Sequence, residues 1–316
     1  MAYKDKTLAA VIPCYNEETQ IGMVIDTMPD IVDHIVIIDD RSPDKTSDVV
    51  KEYMEKNDRI VLLVHEENQG VGGAIASGYK WARDNDIDMA VVMAGDGQMD
   101  PEDMPALLDP VVDEGINYTK GNRLIYPKSY EIVPAVRFFG NSVLSLMTKV
   151  ASGYWHVSDS QTGYTVIDKE AMARIDWDTM YKRYGQPNDL LIKLNIENMT
   201  VRDVPIRPVY GVGEKSGIKV SKVINTISGI LLRGFMHRMK EKYVIRDFHP
   251  LVLFYAAGAL QLVLGLLFFI RVLFVWAFVG DAPVVSLILM MFMFSMSMQA
   301  FFSAMLFDMQ ANKDLR

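Results

Sequence analysis

Leu8-Ala9-Ala10-Val11-Ile12-Pro13-Cys14-Tyr15-Asn16-Glu17-Glu18 sets a short apolar run against a proline, an aromatic ring and two acids. Such a run, too short for a helix and bounded by turn-forming residues, predicts a buried strand from Leu8 to Pro13. The pattern repeats three times downstream. Ile35 to Asp39 runs into Asp40-Arg41-Ser42-Pro43-Asp44, Ile60 to Val64 into Glu66-Glu67-Asn68-Gln69-Gly70, and Met89 to Met93 into Ala94-Gly95-Asp96-Gly97-Gln98. Thr19 to Met28, Asp44 to Lys56 and Gly72 to Arg83 lie between these runs with helical spacing. Strands alternating with helices at this pace predict βαβ units, and so an α/β fold with a mostly parallel sheet and helices on both faces. Ligands of open α/β sheets sit beyond the carboxyl ends of the strands, so the four strand ends deliver their polar groups to one expected binding rim.

Further along, Asp100 and Pro101 suit the N-cap and first position of a helix reaching Asp113. Ile116 to Asn122 is an expected fifth strand, and Pro134 to Val150 an amphipathic helix. Between Val220 and Tyr243 apolar residues recur at three and four, interleaved with Lys and Arg. A helix packed on the soluble domain and one lying in a membrane interface both fit that stripe; the basic face favours the interface.

Leu251 to Ile270 and Ala282 to Phe307 carry no charged residue. Each reaches the roughly 20 residues that cross a hydrocarbon core as a helix. The expected organisation is a soluble domain over 1–217, amphipathic interface helices over 218–247, two spans at about 250–271 and 283–307, and a tail over 310–316. Lys215, Lys219, Lys222, Arg233, Arg238, Lys240, Lys242 and Arg246 crowd the approach to the first span, whereas the turn between spans offers Arg271 against Asp281. That bias predicts a cytoplasmic soluble domain at the cell membrane, or at the endoplasmic reticulum in a eukaryote. The polar first residues contain no signal peptide, and the single Cys14 suits a reducing compartment as a small buried hydrophobe. A formal charge of −8 argues against nucleic acid as a partner, while the basic cluster suits anionic membrane lipids.

Asp39-Asp40 with Ser42 and Asp44 reads, in isolation, as a turn and helix cap. Beside the first strand end, the same carboxylates can accept from a nucleobase N–H or a ribose hydroxyl. With Asn68-Gln69-Gly70-Val71-Gly72-Gly73-Ala74, Gly95-Asp96-Gly97-Gln98-Met99-Asp100-Pro101, Gly121-Asn122-Arg123, Asp159-Ser160-Gln161-Thr162-Gly163-Tyr164 and Val204-Pro205-Ile206-Arg207 in order, the chain resembles the inverting family 2 glycosyltransferases of GT-A fold. It looks most like the polyprenyl- and dolichyl-phosphate sugar synthases. The resemblance runs from about Leu8 to Lys219.

The resemblance implies a nucleotide-sugar donor, with Pro13, Tyr15, Glu17 and Asp40 lining the nucleoside pocket and Asn16, Asp39, Asn68, Gly70 and Gly95 completing the set. It implies that Asp96, with Gln98, holds Mg²⁺ or Mn²⁺ on the diphosphate; hard oxygen ligands suit both ions. Relatives often carry an acid two residues before that aspartate, where this chain has Ala94. Arg207, Lys215 and Lys219 stand where the family has basic residues near the donor diphosphate, and they fit membrane-surface charges equally. Arg123, Arg137 and Asn141 are the expected contacts to a polyprenyl or dolichyl phosphate acceptor; Arg137 and Asn141, four apart, share a helix face. Asp96, Arg123 and Asp189 are the catalytic candidates. Asp189 lies where relatives that glycosylate hydroxyls have a base, which a phosphate acceptor, already anionic near neutral pH, does not need. Gly70-Val71-Gly72-Gly73 is no dinucleotide fingerprint, because Ile75 stands where the third glycine belongs; these glycines fit close backbone approach to the donor, or a tight turn.

The expected reaction is inverting transfer of the sugar to the lipid phosphate. Extension of a glycolipid through a hydroxyl is the alternative, and a non-catalytic nucleotide-sugar sensor or membrane scaffold a second. No Gln-x-x-Arg-Trp of the processive synthases occurs, and nothing in the sequence sets the oligomeric state.

Overall fold

The computed structural model describes residues 3–95, 99–127, 135–207, 220–281 and 283–316. The chain divides into two compact units: residues 1–235 with Leu315–Arg316, and Met236–Asp314.

The first unit is built on a seven-stranded sheet in the order β3-β2-β1-β4-β6-β5-β7. The strands are β1 (Leu8–Cys14), β2 (His34–Asp39), β3 (Ile60–Val64), β4 (Met89–Val92), β5 (Tyr118–Asn122), β6 (Thr165–Asp168) and β7 (Val201–Pro205). β1 pairs in parallel with β2, Val11 opposite Val36 and Cys14 opposite Asp39, and with β4, Leu8 opposite Met89. β6 runs antiparallel between β4 and β5, and β5 pairs in parallel with β7. The mostly parallel sheet therefore has one reversed strand, whose Thr165, Val166 and Ile167 are β-branched but whose four residues are too few to stand out in the sequence.

The apolar runs are continuous because both sheet faces are covered. On one face Ala9, Val11, Val36 and Ile38 pack with Ala74 and Tyr79 of α3 (Val71–Asp84) and with Leu190 and Leu194 of the helix Gln186–Ile196. On the other, Leu8, Ala10, Ile12, Ile35 and Ile37 meet Ile21 of α1 (Ile21–Asp26), Val50 of α2 (Thr46–Met54) and Leu107 of α4 (Met104–Glu114). Order reverses at β1, with β2 and β3 on one side and β4 on the other, so the strand ends that meet there form the switch-point crevice where such sheets bind ligands.

The helix Val220–Lys240 resolves the two readings of its stripe in part. Ile227 and Leu231 are buried against Leu144 and Ala151 of the helix Ala135–Ser152 and Ile192 of Gln186–Ile196, while Leu232 and Met236 remain exposed.

In the second unit the helices Leu251–Val279 and Val284–Ala311 are 29 and 28 residues long, and both are apolar enough to cross a membrane. They pack antiparallel: Gly258 faces the Phe301 ring and Gly265 the Phe294 ring, and the Ser297 hydroxyl donates to the Gly258 carbonyl at 2.8 Å. Arg271 lies inside the first helix and donates to the Ser286 hydroxyl, so the turn is confined to the stretch after Gly280 rather than beginning at Arg271.

Candidate functional site

Strand β1 ends at Cys14, and Asn16 adopts a left-handed conformation that turns the chain over the rim. Its N–H donates to the Ser42 hydroxyl at 3.1 Å, the Glu17 N–H to Thr46 Oγ1 at 3.0 Å and the Glu18 N–H to Asp44 Oδ2 at 3.0 Å. Ser42, Asp44 and Thr46 thus tie the β2 loop to the β1 loop, and Tyr15 is left exposed between them.

The adjacent aspartates have different partners. Asp39 accepts from the Ser42 N–H at 2.7 Å and from the Ser47 hydroxyl, stapling the entry to α2. Asp40 faces the crevice. Its Oδ1 lies 2.7 Å from His65 Nδ1 and accepts the Gln69 N–H at 2.8 Å, while Oδ2 accepts the Gly70 N–H at 2.6 Å. The Asn68 amide donates to the Asp40 carbonyl at 3.0 Å, and His65 Nε2 reaches Ser77 Oγ at 2.9 Å. One buried carboxylate therefore fixes the loop from β3 to α3.

Beyond these strand ends opens a cavity of about 610 Å³. Among the sequence-predicted residues, Pro13, Tyr15, Glu17, Asp40, Asn68, Gly70 and Gly95 line it; exposed Asn16 and buried Asp39 do not. Asp96, Gln98, Lys215, Lys219 and the side chain of Arg137 lie outside the described residues. Arg183 and Tyr184, which the sequence reading did not single out, complete the wall.

Arg183 and Tyr184 belong to the stretch 181–186, and the glycine loop exists to receive it. Gly70 has φ +85°, and a Cβ there would come 2.6 Å from the Lys182 carbonyl. A side chain on Gly72 would strike the Tyr181 carbonyl and Gln186. The Gly73 N–H donates to the Lys182 carbonyl at 3.0 Å. These glycines admit a neighbouring backbone, a use that sequence spacing could not separate from approach to a ligand. Asp189 holds the same stretch from the other side: its Oδ2 accepts the Tyr181 N–H at 3.0 Å and lies 3.6 Å from Lys193 Nζ.

At the end of β5 a second cluster forms. Arg123 grips Asp159 through its Nε at 2.8 Å, its Nη2 at 2.9 Å and its own N–H at 3.0 Å. Burial raises the Asp159 pKa, but Arg123 and Lys120 outweigh it and hold the carboxyl below the usual range. Lys120, fully buried, donates to the carbonyls of Ser158 at 3.0 Å and Asp159 at 2.7 Å; burial pulls its pKa down despite the nearby acids. Asp203, 3.8 Å from Lys120, is pushed up by burial. Next to Arg123 runs a shallow groove of about 280 Å³ bounded by Leu124, Ile125, Ser142, Leu146 and Lys149. Phe139 is 72% exposed and Leu146 58%; with Val143 and Ile125 they give this face an apolar surface. Asn141 is half-buried on the same helix, outside the groove lining. Arg207 is exposed; its N–H donates to Asp103 Oδ2 at 3.2 Å, and it does not line the cavity.

Residues 9–176 match the family Glycosyl transferase family 2. The chain belongs to that family. This family 2 member is 32% identical over 219 residues to the UDP-N-acetylglucosamine–dolichyl-phosphate N-acetylglucosaminyltransferase of Methanococcus voltae, covering 65% of this chain and 87% of that protein. It is 25% identical over 239 residues to the polyprenol monophosphomannose synthase of Mycolicibacterium smegmatis, covering 73% and 89%. Its fold is similar to that of glucosyl-3-phosphoglycerate synthase from Mycobacterium tuberculosis in complex with Mn²⁺, UDP and glucosyl-3-phosphoglycerate, with a TM-score of 0.53 at 18% identity over 74% of this chain and 80% of that one. The sheet is that of a GT-A glycosyltransferase.

For a family 2 glycosyltransferase, the crevice brings together the β1 and β2 loops, the glycine loop and the stretch 181–186 in one wall. Arg183 carried no spacing signal, because a lone loop arginine looks like any solvated charge. Asp159 was visible as part of a family motif but not as the partner that orients Arg123.

Proposed function

We propose that this glycosyltransferase moves a sugar from a UDP- or GDP-sugar to polyprenyl or dolichyl phosphate with inversion, at the cytoplasmic face of a membrane. The observation that carries the reading is the exposed apolar face of Ile125, Phe139, Val143 and Leu146 beside Arg123, in a chain that also has two membrane-length helices. Water-soluble acceptors have no use for such a face, whereas an isoprenoid bearing a phosphate needs apolar contact and a cation together.

In this reading the donor occupies the cavity against Asp40 and Tyr15, and a phosphate oxygen of the lipid attacks the anomeric carbon. The bond from that carbon to the donor's phosphate oxygen breaks as the new bond forms, and the nucleoside diphosphate departs with the electron pair. Positioning and electrostatics supply the catalysis. Asp96 and Gln98 follow the β4 end whose Gly95 lines the cavity, and their hard oxygens suit Mg²⁺ or Mn²⁺. Asp96 and Gln98 would hold the ion, Ala94 offering no side-chain ligand. When bound, the ion offsets charge on the leaving diphosphate.

Asp189 supports a phosphate rather than a hydroxyl acceptor: it does not line the cavity, and its carboxylate is engaged with Tyr181 and Lys193. Asp189→Asn keeps an oxygen for the Tyr181 N–H and removes any basic function. Assayed in detergent with a panel of UDP- and GDP-sugars and polyprenyl phosphate, wild type and Asp189→Asn are both expected to form glycolipid within about tenfold of each other. Loss of about a thousandfold or more in the variant would move the acceptor to a hydroxyl that needs a base.

A further inference from the structure

We infer that Arg183 is a side-chain cation that, alongside the divalent ion placed above, holds the donor's diphosphate in the cavity, an inference that rests on the nucleotide-sugar reading above. The cavity's charged lining consists, among the described residues, of Glu17, Asp40 and Arg183. Both oxygens of Asp40 are taken by His65 and the N–H groups of Gln69 and Gly70. A nucleoside diphosphate entering beside two acids meets repulsion unless a positive group faces it.

Arg183 meets that need. Its guanidinium has no hydrogen bond or ion pair to any described residue, so its donors are open to the cavity that it lines. Arg207, one of the basic residues expected near the diphosphate, stands off the cavity wall, and Lys215, another, lies outside the described residues.

The position of Arg183 is built in rather than incidental. Its backbone is pinned on one side by the Gly73 N–H donating to the Lys182 carbonyl, and on the other by Asp189 accepting the Tyr181 N–H. Gly185, at φ +115°, turns the chain into the following helix. The Arg183 stem lies over Gly70, where an added Cβ would come 3.0 Å from its Cγ. Asp40, Gly70 and Arg183 thus form a relay in which a buried carboxylate fixes the loop that fixes the arginine. A stem held against backbone loses less freedom when its head binds a phosphate than a free surface arginine would. The fork of N–H donors then matches the oxygens of a diphosphate.

The test uses the full-length protein in detergent and measures binding of UDP and GDP, with uridine and guanosine as competing nucleosides. Arg183→Gln should weaken binding of the preferred diphosphate about 10- to 100-fold while leaving the matching nucleoside unchanged. Arg183→Lys should recover part of the loss. Equal diphosphate binding by wild type and Arg183→Gln, in a protein that still transfers sugar, would overturn this inference alone. Equal weakening of diphosphate and nucleoside would also overturn it, by assigning Arg183 to packing on Gly70. Failure of the wild type to bind any nucleotide would overturn the donor reading and this inference with it.

Discussion

Asp40 answers two demands with one carboxylate: it lines the cavity and accepts from the Gln69 and Gly70 N–H groups while facing His65. Asp40→Asn turns one acceptor oxygen into a donor and leaves a loop N–H or the imidazole without its partner. Unfolding in denaturant should show a loss of about 1–3 kcal/mol, and the donor KM should rise more than kcat falls. Asp159 has a different signature. Arg123 and Lys120 hold its folded pKa below the unfolded value near 3.9, so its stabilisation is present above that value and is lost as pH falls through the depressed one. Acid unfolding should therefore steepen below about pH 4. Asp159→Asn should flatten that limb and cost roughly 3–5 kcal/mol at neutral pH, because it leaves Lys120 and Arg123 short of countercharge. Asp40 alone reads as a turn or cap acid, the use that Asp39 has, and only the neighbouring strand-end motifs pointed it to the crevice. Arg183 was not legible, since its meaning comes from Gly70, far away in the chain.

Strands β1 to β4 were legible because burial on both faces makes them continuous apolar runs, and helices α1 to α4 because one apolar stripe faces the sheet. β6 has β-branched Thr165, Val166 and Ile167 but only four residues, and the mixed β7 has Arg202 and Asp203 inside it, so neither shows the continuous apolar run of β1 to β4. The glycine loop is a packing device, so Gly70→Ala meets both a left-handed backbone and the Lys182 carbonyl. Thermal unfolding should report a loss of about 1–3 kcal/mol, with donor KM raised as the stretch 181–186 is displaced. The π-helical turn Glu241–Arg246 carries Lys242, whose Nζ donates to Asn312 Oδ1 at 2.9 Å. Burial first, then Arg238, pulls the Lys242 pKa down to about 7. A lysine depressed in the folded state costs stability in full below the folded pKa, and the cost fades as pH rises towards the unfolded value near 10.4. Thermal stability in detergent should accordingly climb between pH 7 and 9, and Lys242→Met should weaken that climb; an unchanged slope in the variant would locate its cause elsewhere.

The chain joins a family 2 catalytic fold to a pair of helices whose outward faces, with Leu253, Val263, Leu267 and Phe274 exposed, suit lipid and not water. Small residues carry the contact between those helices, Gly258 and Gly265 meeting phenylalanine rings, a pattern in which helix pairs in lipid are enriched. An alkaline carbonate wash should leave the full chain with the membrane fraction, and release into the supernatant would count against spanning helices. Composition made these helices plain in the sequence, whereas the stripe of Val220–Lys240 was ambiguous because a core and an interface select the same spacing. The proposed transfer to a lipid phosphate is tested most directly by the linkage in the product. Glycolipid made from an α-linked sugar donor and polyprenyl phosphate should be cleaved by mild acid and should show, by nuclear magnetic resonance, a β-anomeric carbon coupled to phosphorus. An acid-stable glycosidic bond to a hydroxyl, or a retained α-anomer, would contradict the account.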